Sequence, residues 1–502
     1  MWTGVSRVLG LAREIIAAAL FGTQGSINAF VIAFQVPNLL RSLVADSALA
    51  GAFVPVFTQL QEQGRHKEAQ RLVGSLVGVI TIGLGGISLV AIILAPYFMP
   101  FFAPGLPDPL VDEAVRLARI MFPIVVLLGL TGLAMAVLQA AGMFAPTAFV
   151  PVLWNGIIIG ALAVIAPLVP EDDQITVYAL GIVVGTLAQL LFLLRYVRGL
   201  GPFPISISFG PYVRRVLVLM LPVTVGLGLI NVNLSVDAIF ATLVDDQAPR
   251  AIDAAFRLYL LPQGVFSVAV ATVLFPTISR LAARDDIPGV RATVASGLRH
   301  IFFVLLPASA FLLVFAEPVV RLVFQYGAFD DESTALTSEA LFAFALGLVF
   351  NGASLLVIRA FFSLQQPWLP TAVAGAGVAL NLVLDLALYQ PLGVAGIPLA
   401  TSVTSLMTFS VLIWLLGREL GGIRGGWVLD GFVRSLVASA IGAVLAWATW
   451  TLVSDGLGTG FPGDAVGLLL AGAAGVLAYA AAAHAFEMPE LRSVGRVLRP
   501  LR

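Results

Sequence analysis

The chain has no cysteine in its 502 residues, so disulfides, thiolate nucleophiles and cysteine metal ligands are excluded. Charge is scarce too: Asp, Glu, Lys and Arg make up 11% of the sequence, where a soluble domain carries about 25%. The three histidines, His66, His300 and His484, are isolated, so no His pair has metal-ligand spacing. A net charge of −1 gives no basic footprint for nucleic acid. Polar connecting sequence is short, the longest stretch being "RYVRGLGPFPISISFGPYVRR", and leaves no room for a soluble domain. Neither a phosphate-cradling Gly loop nor a nucleophile elbow appears. What fills the chain is hydrocarbon: 59% of residues are hydrophobic and the mean hydropathy is +1.01. That composition implies an all-α polytopic membrane protein.

Apolar runs of about 20 residues predict about fourteen transmembrane helices, among them 3–22, 26–46, 72–98, 116–140, 213–243, 250–275 and 297–323. Basic loops alternate with acidic ones. Arg65, Lys67 and Arg71, then Arg195 and Arg198, Arg280 and Arg284, Arg418 and Arg424, and the tail from Arg492 fall on one side. The opposite side holds "PEDDQ", "VDDQ" and "FDDES". Basic loops stay cytoplasmic, which puts both termini inside. Arg116 and Arg119 break the pattern, lying on the acidic side beside Asp108, Asp112 and Glu113. A cleaved signal peptide is the rival reading of the first twenty residues, but Arg13-Glu14 interrupts its apolar core.

Segments recur along the chain. "AFVPVFTQL" returns as "VLFPTISRL", "INAFVIAFQVP" as "IDAAFRLYLLP", and "APTAFVPVLWN" as "LPTAVAGAGVALN". These pairings predict two six-helix repeats, 1–207 and 208–417, around a central cavity, with two additional helices and a basic tail in 418–502.

Arginine at mid-membrane costs about 2.5–3.5 kcal/mol on insertion scales, so such residues normally face a bundle interior or a wet cavity. Arg7, Arg13, Arg41 and Arg257 are the candidates. Arg41 and Arg257 occupy corresponding spans of the two repeats, close to Pro37 and Pro262. Several guanidiniums about one cavity suit a phosphate or pyrophosphate group, through bidentate hydrogen bonds. The competing reading has each arginine snorkel to the surface or pair with an acid such as Glu14 or Asp46. A second set is made of hard oxygen donors: Asp237, Asn381 and Asp385 four residues apart, and Thr401. It suits Na⁺ or a carried proton, the alternative being local hydrogen bonding.

"SRVLGLAREIIAAALFG", "FQVPNLLRSLVADSALAGAFVPVF", "LFQYGAFDDES" and "IRAFFSLQQPWLPTAVA" closely resemble the MurJ (MviN) family. These are the lipid II flippases of the multidrug/oligosaccharidyl-lipid/polysaccharide (MOP) exporter superfamily. The resemblance implies a bacterial inner-membrane flippase that moves lipid II, a disaccharide pentapeptide on undecaprenyl pyrophosphate, between leaflets by alternating access. It implies a transporter and not an enzyme, a monomer with the cell-wall synthesis machinery as candidate associate, no nucleic-acid partner, and no cofactor unless Na⁺. It places the substrate-binding residues at Arg7, Arg13, Arg41, Arg257, Asn28, Asp46 and Arg359. Sodium-linked members carry ligands that match Asp237, Asn381, Asp385 and Thr401, and the family's extra helix pair forms a groove for the lipid tail. The chain departs from the family pattern at Asn28, where many relatives have Asp, and beside Arg257, where Phe256 and Leu260 replace acids. Two other classes compete: a cation-coupled drug or polysaccharide-lipid exporter of the same superfamily, and a membrane glycosyltransferase.

Overall fold

A computed structural model describes residues 2–44, 47–457 and 460–491, and every regular element among them is helical. The first compact unit comprises Met1–Arg250 with Tyr326–Phe329. It contains α1 (Trp2–Phe21), α2 (Ser26–Val44), α3 (Ser47–Glu62), α4 (His66–Phe102), α5 (Asp108–Met121), α6 (Ile124–Ala140), α7 (Phe144–Gly160), α8 (Glu171–Val197) and α9 (Pro211–Val244). The second unit comprises Ala251–Gln325 and Asp330–Arg502. Its helices are α10 (Ala248–Pro262), whose first turn belongs to the first unit, α11 (Val268–Ala282), α12 (Ile287–Val314), α13 (Ala316–Phe324), α14 (Asp331–Ser363), α15 (Trp368–Leu392), α16 (Gly396–Glu419), α17 (Gly425–Leu457) and α18 (Phe461–Ala485). The expected basic tail from Arg492, and Asp46, lie outside the described residues.

Among the described residues ten stretches are long and apolar enough to cross a membrane, one of them, Trp368–Glu419, containing both α15 and α16. Helix α1 is not among them, because it carries Arg7, Arg13 and Glu14 within 20 residues. The span expected to end at residue 46 is followed by a further helix, α3, reaching Glu62. Its buried Phe53, Val56, Phe57 and Leu60 recur at helical spacing and form a stripe against the core of the first unit. The span expected at 297–323 divides into α12 and α13. Pro318 has no N–H to offer the carbonyl of Val314, so the α12 ladder stops there. Asp330 caps α14 by accepting a hydrogen bond from the Ser333 amide at 2.8 Å. That bond holds its carboxyl below the ordinary carboxylate range.

Packing units and sequence repeats divide the chain differently. Helix α9, the first of the second repeat, packs with α2, α3 and α4 in the first unit. Gly105 allows it to seat closely, since a Cβ there would lie 1.8 Å from the Thr242 carbonyl oxygen. Ahead of α9, residues 201–210 run without regular structure across α4. Ser206 donates its amide to the Gly74 carbonyl at 3.3 Å, and its hydroxyl lies 2.9 Å from that of Ser75. The strap sits in a notch with no side chains: a Cβ on Gly74 would approach the Pro204 carbonyl oxygen to 1.9 Å, and one on Gly78 the Ser206 oxygen to 2.3 Å. We expect Gly74→Ala to lift the strap from α4 and raise its protease sensitivity severalfold, while Gly83→Ala, at an open position on the same helix, leaves it unchanged; limited proteolysis followed by mass spectrometry reads the difference.

In the second unit α17 and α18 pair closely through small residues, the Gly475 oxygen lying 2.8 Å from where a Gly442 Cβ would be. Arg299 ties α12 to them: it is buried, bonds Glu490 and the Trp427 carbonyl oxygen, and lies over the Trp427 ring at 4.3 Å.

Candidate functional site: an arginine-rich charge network

Helix α1 ends at Gly22, which adopts a left-handed conformation (φ 58°) and donates its amide to Ala18 at 2.8 Å. The neighbouring turn is held by Tyr326–Phe329 of the same unit, where Ala328 donates its amide to the Ala19 carbonyl at 2.8 Å. Glycine is required on both sides of this contact. A Cβ on Gly22 would meet the Ala328 oxygen at 2.4 Å, and one on Gly327 the Ala19 oxygen at 2.2 Å. The end of α1 is thereby fixed, and with it the direction of the charged residues about two turns earlier.

Those residues form a buried ionic network. Arg13 forks onto Glu14 Oε1 through Nη2 at 2.5 Å and Nε at 3.1 Å, and its guanidinium lies 4.7 Å from the Trp154 ring centroid. Arg250 donates from Nη1 to Glu14 Oε2 at 3.2 Å. Exposure is 8% for Arg13, 3% for Glu14 and 2% for Arg250. One carboxylate therefore serves two guanidiniums inside apolar packing, where desolvation costs several kcal/mol per ion. The surrounding polar groups fix the geometry. Asn28 accepts from the Arg250 amide at 2.9 Å and donates to the Thr23 carbonyl at 2.7 Å, and Thr23 donates to Gln247 at 2.8 Å. Asn28 has no accessible surface; its amide satisfies the first turn of α10 and the turn after α1.

The other arginines differ in setting. Arg7 is exposed on α1. Arg41 belongs to α2, but its side chain lies outside the described residues. In the second unit, Arg257 is partly exposed and forks onto Asp253, from Nε to Oδ2 at 3.0 Å and from Nη2 to Oδ1 at 3.2 Å. The acids missing at positions 256 and 260 are thus replaced by one a helical turn before Arg257. Arg359 donates to Thr272 at 2.9 Å, joining α14 to α11, and lies over Phe275. Two further arginines on the acidic side, beyond Arg116 and Arg119, were not anticipated, and both are engaged by acids: Arg250 by Glu14, and Arg321 by Glu317 and Asp464. Arg250 follows "VDDQAP" at the start of a helix, and an arginine in an acidic loop was the available signal.

The oxygen-rich residues are divided between the units. Asp237, on α9, is buried in the first, with the Asn233 amide 3.4 Å from Oδ2. Asn381, Asp385 and Thr401 belong to the second. Asn381 donates to Asp385 at 2.8 Å, and both are fully buried on α15. Among the described residues no three of His, Cys, Asp and Glu come together. The donor set here is carboxylate, amide and hydroxyl, which suits a hard monovalent cation better than zinc or another soft metal.

Comparison with known proteins places this chain in a family. A family described as "Lipid II flippase MurJ" matches residues 17–463. The lipid II flippase MurJ of Burkholderia cenocepacia is 33% identical over 458 residues, covering 88% of this chain and 86% of that protein. The probable lipid II flippase MurJ of Rhizobium meliloti is 31% identical, covering 98% and 94%. A solved structure described as lipid II flippase MurJ in an inward closed conformation superposes with a TM-score of 0.80 at 21% identity, covering 98% of each chain. An inward-facing MATE family multidrug resistance transporter of the MOP superfamily superposes at 0.71 and 14% identity, covering 82% of this chain and 94% of its own. The readings as a drug exporter or a glycosyltransferase give way to the family match. The chain is a multi-pass membrane protein of the lipid II flippase MurJ family, a family of transporters and not of enzymes.

Proposed function

We propose that this chain moves lipid II from the cytoplasmic to the outer leaflet of the bacterial inner membrane by alternating access, with both termini cytoplasmic. The repeats 1–207 and 208–417 would be the moving arms, and α17 with α18 the groove for the lipid tail. The carrying observation is the concentration of guanidiniums inside apolar helices, Arg13 and Arg250 both bonding Glu14. A pyrophosphate needs several planar donors, and guanidiniums gathered in a low-dielectric interior supply a field for it.

Exposure separates the roles of the arginines. Arg13 and Arg250 are buried and committed to Glu14. They shape the potential and hold α1 against the first turn of α10. The Arg257 side chain is 34% accessible and its partner Asp253 24%, so a dianionic head group can displace Asp253 and take over the fork. Arg7, exposed on α1, and Arg41 would extend the path, and Arg359 would hold α14 to α11. Reconstituting the purified chain with labelled lipid II and following its accessibility from outside tests this reading. Transfer is expected, and its absence with lipid II in either leaflet would contradict it.

For energy coupling we favour Na⁺ at the Asn381–Asp385 pair, with Thr401 of the same unit as a further ligand. A buried carboxylate among apolar helices gives a bound cation leverage over the helices that carry it. The cation would supply the counter-charge; the residues supply oxygen donors and the helix that responds. Na⁺, but not K⁺ at equal ionic strength, is expected to shift the distribution between reporter labels on the helix ends, and Asp385→Asn to abolish the shift. Equal responses to both ions, or an unchanged shift in the variant, would favour direct response to the membrane potential. The protein would act as a monomer beside the cell-wall synthesis machinery.

A further inference from the structure

The strap between α8 and α9 carries side chains that a connecting segment in water would not carry. Ile205, Ile207 and Phe209 are 73%, 67% and 70% exposed and recur at every second residue, as on one face of an extended chain. Ser206, between them, turns the other way, to Ser75. Three large apolar side chains kept in water at successive outward positions forfeit the free energy that their burial normally supplies.

Contacts with α4 give the depth of the strap. Gly201 lies beside Gln70, Pro204 beside Gly74 and Ser206 beside Gly78, so the chain advances along α4 from its charged end. Arg71 is the last charged residue of α4, and Gly78 lies about 10 Å beyond it along the axis. The chain then returns: the Tyr212 ring centroid is 5.3 Å from the guanidinium of Arg65, just ahead of α4. Segment 201–212 thus dips past the charged end of α4 and comes back. Pro202 and Pro204 bring no N–H into the dip and Ser206 donates its own to Gly74 at 3.3 Å, which reduces the amides left to solvate. The flanks are cationic. Arg195 and Arg198 precede the strap, Arg214 and Arg215 follow it, and all four are exposed. No Asp or Glu occurs between Asp173 and Asp237.

We propose that 201–210 is an interfacial wedge bound to anionic phospholipid. Ile205, Ile207 and Phe209 insert at the boundary between head groups and acyl chains, and Arg195, Arg198 and Arg214 bond the lipid phosphates beside them. Two observations select a lipid surface as the occupant. The flanking charge is of one sign and complements an anionic leaflet, and the apolar surface continues from the strap through the exposed Ile82 and Ile87 of α4, a helix long enough to cross the membrane. At that boundary the remaining amides of the strap still reach water. On the orientation proposed above, the leaflet is the cytoplasmic one. The expected junction between the repeats, at 207–208, is thereby held in the bilayer.

The chain has no cysteine, so a nitroxide on a single introduced cysteine reads depth in the full-length protein. In proteoliposomes of mixed phosphatidylglycerol and phosphatidylcholine, the ratio of collisions with oxygen to collisions with a water-soluble nickel chelate should be about threefold higher at Ile207→Cys than at Lys67→Cys, an exposed position at the start of α4. Phe209→Cys, also outward, repeats the reading should the first variant fail to fold. In phosphatidylcholine alone, or with Arg198→Gln and Arg214→Gln together, the ratio at 207 should fall to about half. A label at 207 as open to nickel as the one at 67 would place the strap in water and overturn the proposal. A ratio at 207 that ignores both the anionic lipid and the two arginines would overturn it as well, leaving an apolar contact without phosphate recognition. Neither result depends on lipid II, so the wedge and the transport reading stand or fall separately.

Discussion

Glu14→Gln is expected to destabilise the protein by about 3–5 kcal/mol, the cost of leaving a buried charge without its partner. Two guanidiniums, on Arg13 and Arg250, bond that carboxylate, and neither has more than 8% of its surface exposed. The glutamine could accept a hydrogen bond from each but would cancel no charge. Thermal unfolding in detergent should show the loss, with reduced membrane levels in cells. Removing a charge on the other side of the pair should recover part of it, so Glu14→Gln combined with Arg250→Gln should be more stable than Glu14→Gln alone. A double variant as unstable as the sum of the two singles would mean that the network acts by packing and not by charge.

The second large effect concerns Arg257. Arg257→Ala should abolish complementation of a flippase-depleted strain with protein levels unchanged, because a partly exposed residue contributes little to folding. Arg257→Lys should restore little, since it retains charge but not the two-pronged geometry now formed with Asp253. Asp253→Asn releases the fork in the absence of substrate. It should tighten head-group binding and slow release, giving lower turnover with a lower half-saturation, whereas a structural role alone would lower turnover without that change.

The membrane class and helical architecture were legible from composition, because scarcity of charge over such length admits few alternatives. The ionisable residues of α1 were legible as an anomaly, but their partner was not. Glu14 reaches Arg250 across 236 positions of sequence, and no local pattern encodes that pairing. Asp253 is legible in principle, at the helical spacing of four from Arg257, although a comparison with the family pattern points to positions 256 and 260 instead. The extension of α3 was written in its stripe of Phe53, Val56, Phe57 and Leu60, which an apolar-run criterion dilutes with Gln59 and Gln61. The seating of the strap on α4 required knowing which glycines face another backbone. Gly74 and Gly83 look alike in sequence, and only the fold distinguishes a notch from an open face.

In the proposed function, guanidiniums of this chain carry a lipid-linked pyrophosphate across the membrane. The most direct measurement is translocation of fluorescent lipid II in proteoliposomes, compared between wild type and Arg257→Ala reconstituted at equal density. Wild type is expected to transfer lipid II above protein-free vesicles, and the variant to fall to the protein-free rate. Equal transfer by both proteins would contradict it, whatever the rate.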